Sequence, residues 1–316
     1  MITLDSCLNR ITSAAIAGHV RPDGDSVGAC LAVYNYICDN YPDIRADVYL
    51  EPIPAKFSFL KNADRIRDPK KADGSASYDV FFSLDCGDEE RLGGAAAFFR
   101  SAKYTVCVDH HLTNSSFARV NEVDPNASST SELIFRMMDP DKVTEEIAEC
   151  LYLGIVHDTG VFQYSCTSPE TMRIAGELMA KGIPYSRIVD ETYYIRSYPQ
   201  QKIWGKALLT SRLFFNGACI VSTVTQKDME QYQVTPEDLD GIVSELRSTS
   251  GVEVAVFLYE TTEGYKISLR SASYVDVAKI ALTFGGGGHA RAAGASADGD
   301  PEEILHKLLP MIGEQL

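Results

Sequence analysis

Aspartate residues, accompanied by histidine in three cases, recur in four short segments of the first half of the chain. The segments are GHVRPDGDS (18–26), LDCGD (84–88), VDHH (108–111) and VHDTG (156–160). In the first segment, Asp23 and Asp25 flank a glycine, so their carboxylates can reach neighbouring points in space. Carboxylate and imidazole ligands suit Mn²⁺ or Mg²⁺ better than metals that prefer thiolate. The residue types therefore indicate a site for divalent cations.

No single one of these segments is enough to establish a metal site. An aspartate at the end of a strand is usually a turn or cap residue, and a His-His pair is often a surface feature. Turn chemistry does not easily account for all four segments in one chain. Four or more carboxylates close together would repel one another strongly unless cations lay among them. Taken together, the segments predict a metal centre.

The elements around these segments explain how they can meet. Apolar runs typical of buried strands are AAIAGHV (14–20), ADVYL (46–50), YDVFFSLD (78–85) and YTVCVD (104–109). Helical spacing of apolar residues is found at 25–40, 132–138 and 144–160. This alternation predicts an α/β fold with a parallel sheet covered on both faces. Ligands bind such sheets at the carboxyl ends of the strands, where three of the four segments lie, while the fourth ends a helix.

The pattern changes in the second half of the chain. The segment 168–208 is mostly helical, with breaks expected at Gly182–Pro184 and Pro199. The remainder predicts a hairpin at 212–225, a helix at 235–249, paired strands at 252–260 and 265–271, and a terminal helix at 302–312. We therefore predict a metal-binding catalytic domain at 1–185, connecting helices at 186–208, and a smaller mixed-sheet α/β domain at 209–316.

A glycine run, FGGGGHARAAG (284–294), is the second chemical feature of the sequence. Glycines expose backbone N–H groups and allow an anion to approach closely. Such a run alone is often only a flexible loop, but this one lies between an apolar helix and His289 and Arg291. The run leads into a short helix or a strand, and a helix beginning there would add a favourable dipole. We therefore predict a phosphate-binding site in the second domain.

The charge of the chain limits its partners. It carries 29 basic and 44 acidic residues, for a formal net charge of -15. A protein that grips long nucleic acid through its phosphates needs a basic surface, so long duplex nucleic acid is excluded. A phosphate substrate is still possible if metal ions supply the positive field locally. The charge therefore favours a short substrate.

The sequence also bears on the cellular compartment in which the protein is found. Its eight cysteines contain no CxxC pair, which favours reduced, buried cysteines over a zinc site. The N-terminal stretch lacks the basic region of a signal peptide, and no apolar run reaches the ~18 residues needed to span a membrane. We therefore expect a cytoplasmic protein with no membrane partner. The sequence leaves open whether it forms a homodimer.

The four acidic segments resemble, in order, the motifs of the DHH phosphoesterase family. The resemblance implies two divalent ions, with Mn²⁺ favoured and Mg²⁺ or Co²⁺ as alternatives. It implies that one ion is held by His19, Asp23 and Asp85, and the other by Asp25, Asp85, His110 and Asp158. By the same resemblance Asp85 bridges the ions, Asp109 orients a histidine, and His111 faces the substrate phosphate.

The glycine run closely resembles the GGGH-x-x-A-A-G motif of the DHHA1 domain. By this resemblance, Arg270 and His289 hold the other phosphate or nucleotide of the substrate. The remaining substrate-binding candidates are Gly286, Gly287, Gly288 and Arg291. The resemblance now covers nearly the whole chain and implies an active site in the cleft between the two domains.

Within this family, the length and compact motifs resemble the group of bifunctional oligoribonucleases and 3′-phosphoadenosine-5′-phosphate (pAp) phosphatases. That group hydrolyses short RNA or DNA oligonucleotides to mononucleotides, and pAp to AMP. A cyclic-di-AMP or linear dinucleotide phosphodiesterase is the nearest alternative, because it needs the same metals and nucleotide clamp. A RecJ-like exonuclease would need extra domains and a basic channel, and a family II pyrophosphatase carries basic motifs in place of the glycines. A non-catalytic nucleotide-binding module would typically have lost ligands that are all present here.

Overall fold

The computed structural model describes residues 2–72 and 76–316. Contacts between residues divide the chain into two units, one ending at Ile195 and the other spanning Arg196–Leu316. The division falls inside the segment that the sequence assigns to connecting helices.

The first unit contains a parallel five-stranded sheet in the order β2-β1-β3-β4-β5. Its strands are β1 (Ser13–Ala17), β2 (Arg45–Tyr49), β3 (Val80–Leu84), β4 (Tyr104–Asp109) and β5 (Val120–Val123). Alternate residues of β1 enter two separate hydrophobic clusters, so both faces of the sheet are covered. The predicted parallel sheet is confirmed. Strand β5 was not predicted, because its sequence VNEV is half-buried and lacks an apolar run.

Helices cover this sheet. They are α1 (Leu4–Cys7), α2 (Gly24–Asn40), α3 (Ala96–Ser101), α4 (Thr130–Met137), α5 (Glu145–Asp158), α6 (Pro169–Met179) and α7 (Tyr185–Val189). A π-helical turn, Asp190–Tyr194, follows α7. Short 3₁₀ segments lie at Ala55–Phe57, Ala63–Arg65, Glu90–Ala95 and Pro140–Lys142. The helices predicted over 25–40, 132–138 and 144–160 correspond to α2, α4 and α5.

Helices α2 and α5 approach each other closely because glycines lie at their contact. A Cβ on Gly28 of α2 would overlap the carbonyl oxygen of Cys150 in α5. A Cβ on Gly154 of α5 would overlap the Ser131 hydroxyl and lie 2.6 Å from Asp25 Oδ1. The close contact therefore brings the start of α2 next to the end of α5, where Asp158 lies.

The second unit contains a mixed six-stranded sheet in the order β10-β11-β9-β8-β7-β6, in which only the β7–β8 pair is parallel. Its strands are β6 (Arg212–Phe214), β7 (Cys219–Val224), β8 (Val254–Thr261), β9 (Gly264–Ser271), β10 (Gly287–His289) and β11 (Ala292–Ala297). Its helices are α8 (Tyr198–Leu209), α9 (Gln226–Tyr232), α10 (Ile242–Arg247), α11 (Val277–Thr283) and α12 (Pro301–Gly313). Alternate residues of β8 enter separate clusters, and the predicted mixed sheet is confirmed. Among the described residues, no helix has the length and apolar character needed to cross a bilayer.

Two local predictions for the second half are wrong. The helix predicted over 235–249 is interrupted at Gly241, whose φ of +89° separates a 3₁₀ turn at Pro236–Leu239 from α10. Pro199 does not break a helix but lies in the first turn of α8, where its missing N–H is tolerated. For the segment that includes the end of the glycine run, predicted as a short helix or a strand, the structure shows the strands β10 and β11.

The glycine contact between α2 and α5 generates a stability prediction. Gly28→Ala should lower the free energy of unfolding by roughly 1–3 kcal/mol, because the new methyl group overlaps a backbone oxygen that cannot move alone. Gly176→Ala in α6 is the matched control, since nothing lies within 4 Å of its Cβ position. That change should raise the free energy of unfolding by ~0.5–1 kcal/mol. Urea denaturation measures both, and a change of the same sign in the two variants would contradict the packing argument.

Candidate active site

The carboxyl ends of β1, β3 and β4 and the end of α5 bring the acidic segments together. Asp85 comes directly after β3 and is almost fully buried, at 2 % exposure. Its φ of +58° lies in the left-handed region, which is uncommon for a residue other than glycine. Such backbone outliers cost of order 1–3 kcal/mol and concentrate at functional sites. The fold therefore holds Asp85 in an orientation that an unstrained strand end would not give.

One group of ligand atoms consists of His19, Asp23 and Asp85, with one atom of each lying within 4.8 Å of the others. His19 Nε2 lies 3.3 Å from Asp85 Oδ2 and 3.5 Å from Asp23 Oδ2. The other ring nitrogen, Nδ1, lies 2.9 Å from the Val20 carbonyl oxygen. Since a carbonyl can only accept, Nδ1 carries the proton and Nε2 is directed at the carboxylates. Asp23 Oδ1 caps α2, which leaves Oδ2 facing His19.

A second group consists of Asp25, His110 and Asp158, again within 4.8 Å of one another. His110 Nε2 lies 3.0 Å from Asp158 Oδ2 and 3.6 Å from Asp85 Oδ1. Asp85 therefore faces both groups, with one oxygen toward His19 and the other toward His110. The structure thus brings together all six residues that the sequence proposes as metal ligands.

The start of α4 fixes the position of Asp25, which is fully buried. The backbone N–H of Thr130 donates to Asp25 Oδ2 at 2.7 Å, and that of Ser131 donates to Oδ1 at 2.9 Å. The Thr130 hydroxyl also donates to Asp85 Oδ1 at 3.3 Å. Sequence analysis missed Thr130 and Ser131, although the Ser-x-x-Glu pattern at Ser129 and Glu132 is a signal for this helix start.

The charges in the cluster are not balanced by the protein. Burial, together with the charges of Asp85 and Asp158, raises the pKa of Asp25 well above its ordinary value. Burial also raises the pKa of Asp158 to about 6, although its hydrogen bond with His110 opposes the change. The excess negative charge and the oxygen and imidazole donors fit two divalent cations of the Mn²⁺ or Mg²⁺ type.

The two ring nitrogens that face this cluster respond to the same excess charge. Burial disfavours the charged form of His19, but hydrogen bonds with Asp23 and Asp85 outweigh it and raise its pKa to about 10. The pKa of His110 is likewise raised to about 10, because Asp158 outweighs burial. The raised pKa values of both rings reflect the excess of negative charge that faces them.

Asp109 is fully buried and holds the third segment together. Its Oδ1 accepts from the His110 backbone N–H at 2.9 Å and from His111 Nδ1 at 2.7 Å. The hydrogen bond to Asp109 raises the pKa of His111. Asn114, which the sequence analysis did not single out, donates to Asp109 Oδ2 at 2.6 Å and to the Cys86 carbonyl oxygen at 3.0 Å. Asn114 thereby links the ends of β3 and β4, a contact that no short-range pattern signals.

The second unit places two of the predicted substrate residues in one row of its sheet. Arg270 of β9 pairs with Ala292 of β11, and Ala292 pairs with His289 of β10. Directly paired residues project from the same face of a sheet. Arg270 and His289 therefore flank the small Ala292 side chain, which leaves room above it.

Packing requires glycine at some positions of the run and not at others. A Cβ on Gly286 would overlap the carbonyl oxygen of Gly294, and a Cβ on Gly288 would approach that of Ala292 to 2.5 Å. At Gly287, nothing lies within 4 Å of the Cβ position. The packing therefore explains Gly286 and Gly288, while Gly287 presents accessible backbone on an edge strand.

Arg291 is also engaged within the second unit. Its guanidinium donates to the Val275 carbonyl oxygen at 2.7 Å and to the Ser271 hydroxyl at 3.2 Å. These contacts hold the loop that follows β9, next to Arg270. These hydrogen bonds explain the position of the Arg291 side chain without any contact to a ligand.

Two family models match the chain, one for each unit. The model for the DHH family, N-terminal domain, matches residues 13–155. The model for the DHHA1 domain matches residues 216–315. The first range contains five of the six candidate metal ligands, and the second contains Arg270 and the glycine run.

The chain is also similar to proteins along nearly its whole length. It is 31% identical to a bifunctional oligoribonuclease and PAP phosphatase NrnA of Thermus thermophilus, over 95% of this chain and 89% of the relative. It is 28% identical to the protein of that name from Bacillus subtilis, over 88% and 87% of the two chains. A crystal structure of an exopolyphosphatase-related protein from Bacteroides fragilis superimposes with a TM-score of 0.92, at 27% identity, over 98% and 94%.

The site geometry makes neighbouring histidines a matched pair for a metal-binding test. His110 faces Asp158 and Asp85, whereas His111 is anchored to Asp109 by its Nδ1. His110→Ala should therefore weaken Mn²⁺ binding by at least about tenfold, and His111→Ala should leave the affinity close to wild type. Titration calorimetry with Mn²⁺ measures both. Since His111 Nδ1 also lies 3.7 Å from Asp85 Oδ1, equal losses in the two variants would make His111 a ligand and overturn this assignment.

Proposed function

Because this chain belongs to the DHH family and carries a DHHA1 domain, we propose that it is a hydrolase of phosphoester bonds in small nucleotides. Its substrates are short oligonucleotides, cleaved to mononucleotides, and pAp, cleaved to AMP. The observation that carries the proposal is that two neighbouring groups of carboxylate and imidazole side chains lie on either side of Asp85, which faces both. The similarity to the NrnA proteins supports the choice of substrate.

Two divalent ions, Mn²⁺ in our proposal, would be held by the six residues of the two groups, with Asp85 facing both groups. When bound, such ions acidify water and neutralise charge on phosphoryl oxygens. The residues of the chain prepare the site for them. Asp23 and Asp25 are fixed by the starts of α2 and α4, and His19 by the Val20 carbonyl. Donor atoms held in place this way lose little freedom when they bind their partner.

His111 is the protein group proposed to contact the scissile phosphate. Asp109 accepts a hydrogen bond from His111 Nδ1 and raises the pKa of the ring, which favours the imidazolium. In that form Nε2–H donates to a phosphoryl oxygen and stabilises the charge that develops there. Asp109 and Asn114 keep the ring in this orientation through the contacts at 2.7 Å and 2.6 Å.

The second unit supplies the proposed binding site for the rest of the nucleotide. Arg270 and His289 are donors on one face of its sheet, and Gly287 offers backbone that a phosphate can approach. Binding energy from such a remote group can be used to position the reacting bond. The net charge of -15 supports a substrate too short to need an extended basic surface. The free cysteines support a cytoplasmic location.

A metal-dependent assay tests the proposed function. After exhaustive chelation, the protein should be inactive, and Mn²⁺ should restore hydrolysis of pAp and of short oligonucleotides better than Ca²⁺, which prefers larger and more flexible oxygen cages. Long RNA, pyrophosphate and cyclic-di-AMP should be poor substrates. Release of AMP or mononucleotides is followed by chromatography.

The control for this assay is Asp85→Asn. Asparagine tolerates the left-handed backbone as aspartate does, so the variant should fold normally and lose turnover because the shared charge is gone. Full activity after chelation, or near-normal activity of Asp85→Asn with two bound ions, would refute the metal mechanism. Preferential cleavage of cyclic-di-AMP would replace the proposed substrate class.

The assignment of nucleotide binding to the second unit has its own test. His289→Ala or Arg270→Ala should slow hydrolysis of pAp roughly tenfold to a hundredfold, because a charge-assisted hydrogen bond contributes ~1.5–3 kcal/mol. The generic ester bis-p-nitrophenyl phosphate lacks the remote phosphate, so its hydrolysis should change much less. His19→Ala should impair both reactions alike. Equal losses on both substrates in the His289→Ala variant would show that His289 belongs to the chemical step or to the fold.

A further inference from the structure

The last turn of the first unit is π-helical. It spans Asp190–Tyr194, directly after α7 and one residue before the unit ends at Ile195. π-helical turns are rare and are found frequently at functional sites. None of its residues belongs to the ligand groups described above. A hydrogen bond nevertheless joins it to α5, beside a proposed metal ligand.

That hydrogen bond has a defined direction. Thr192 is buried, and its hydroxyl donates to the Ile188 carbonyl oxygen at 2.6 Å. The hydroxyl oxygen of Thr192, Oγ1, lies 3.0 Å from His157 Nε2. Because its proton is used in the bond to Ile188, Thr192 Oγ1 accepts here and His157 Nε2–H donates. The π turn therefore sets the orientation of the His157 ring.

The ring of His157 is packed against the backbone that carries the metal ligands. A Cβ on Gly24 would overlap the His157 ring, so the ring lies directly on the first turn of α2. Gly24 stands between Asp23 and Asp25, and His157 immediately precedes Asp158. The ring of Phe57 meets it edge to face, with centroids 5.1 Å apart. His157 thus touches or adjoins the chain segments that carry three of the six proposed ligands.

We infer that His157 is a positioning residue through which the π turn Asp190–Tyr194 sets the affinity of the metal centre. This inference rests on the proposed function for the assignment of Asp23, Asp25 and Asp158 as ligands. The ring holds the start of α2 against the end of α5, and the Thr192 hydroxyl prevents it from rotating. Displacement of the π turn therefore changes the separation of the carboxylates of Asp23, Asp25 and Asp158.

Mn²⁺ titration calorimetry on the full chain tests the inference. Thr192→Val keeps the shape of the side chain and removes the acceptor, and His157→Phe keeps a ring on Gly24 and removes the donor. Each should weaken Mn²⁺ binding about tenfold, the scale of losses measured for groups that orient ligands. Thr192→Ser restores the hydroxyl and should bind like wild type. The double variant should bind no more weakly than the single variants, because both remove one hydrogen bond.

Thr105→Val is the matched control. Thr105 is also buried, and its hydroxyl accepts from the Arg119 backbone N–H at 2.9 Å, near the opposite end of β4 from Asp109. This change should lower the melting temperature without changing Mn²⁺ affinity. Wild-type affinity in Thr192→Val and His157→Phe with lowered melting temperatures, or additive losses in the double variant, would overturn the inference. Failure of the wild-type protein to bind Mn²⁺ would instead overturn the proposed function.

Discussion

Repulsion among buried carboxylates is the constraint on which the first unit depends. Asp25 and Asp85 are almost completely removed from solvent, and Asp158 lies beside them. The protein offsets part of their charge with backbone N–H groups at the start of α4 and with His19 and His110. Burial, together with the remaining negative charge, raises the pKa values of Asp25 and Asp158. Divalent cations bound here would neutralise that charge.

The same contacts serve packing and chemistry. Gly154 lets α5 approach α2 closely, and its missing side chain is also what leaves space for the Asp25 carboxylate and the Ser131 hydroxyl. Asp23 caps α2 with one oxygen and faces His19 with the other. Because one atom or one absent methyl group does both tasks, we expect substitutions of Gly154 or Asp23 to change both the stability and the geometry of the proposed metal site.

The sequence was most informative where polar, potentially metal-binding residues follow the end of a strand. The apolar runs of β1, β3 and β4 predicted the sheet, and the polar residues after them predicted the cluster. Contacts across long separations were not predictable, such as the hydrogen bonds from Thr130 and Ser131 to Asp25, because no periodicity links these positions. The segment at the end of the glycine run could be predicted only as a short helix or a strand, because glycine and alanine give little indication of pleated or helical structure. The predicted residue groupings and domain limits stay predictions.

The order of the ligands along the chain has a consequence for biosynthesis. They begin at His19 and end at Asp158, in the last turn of α5. An N-terminal segment that stops before α5 lacks Asp158, so the second group of proposed ligands stays incomplete until that helix has been synthesised. In small zinc domains the ion drives folding of the whole chain. Here the proposed ligands lie at the ends of separate strands and helices, so we expect the sheet and its helices to form before a cation binds.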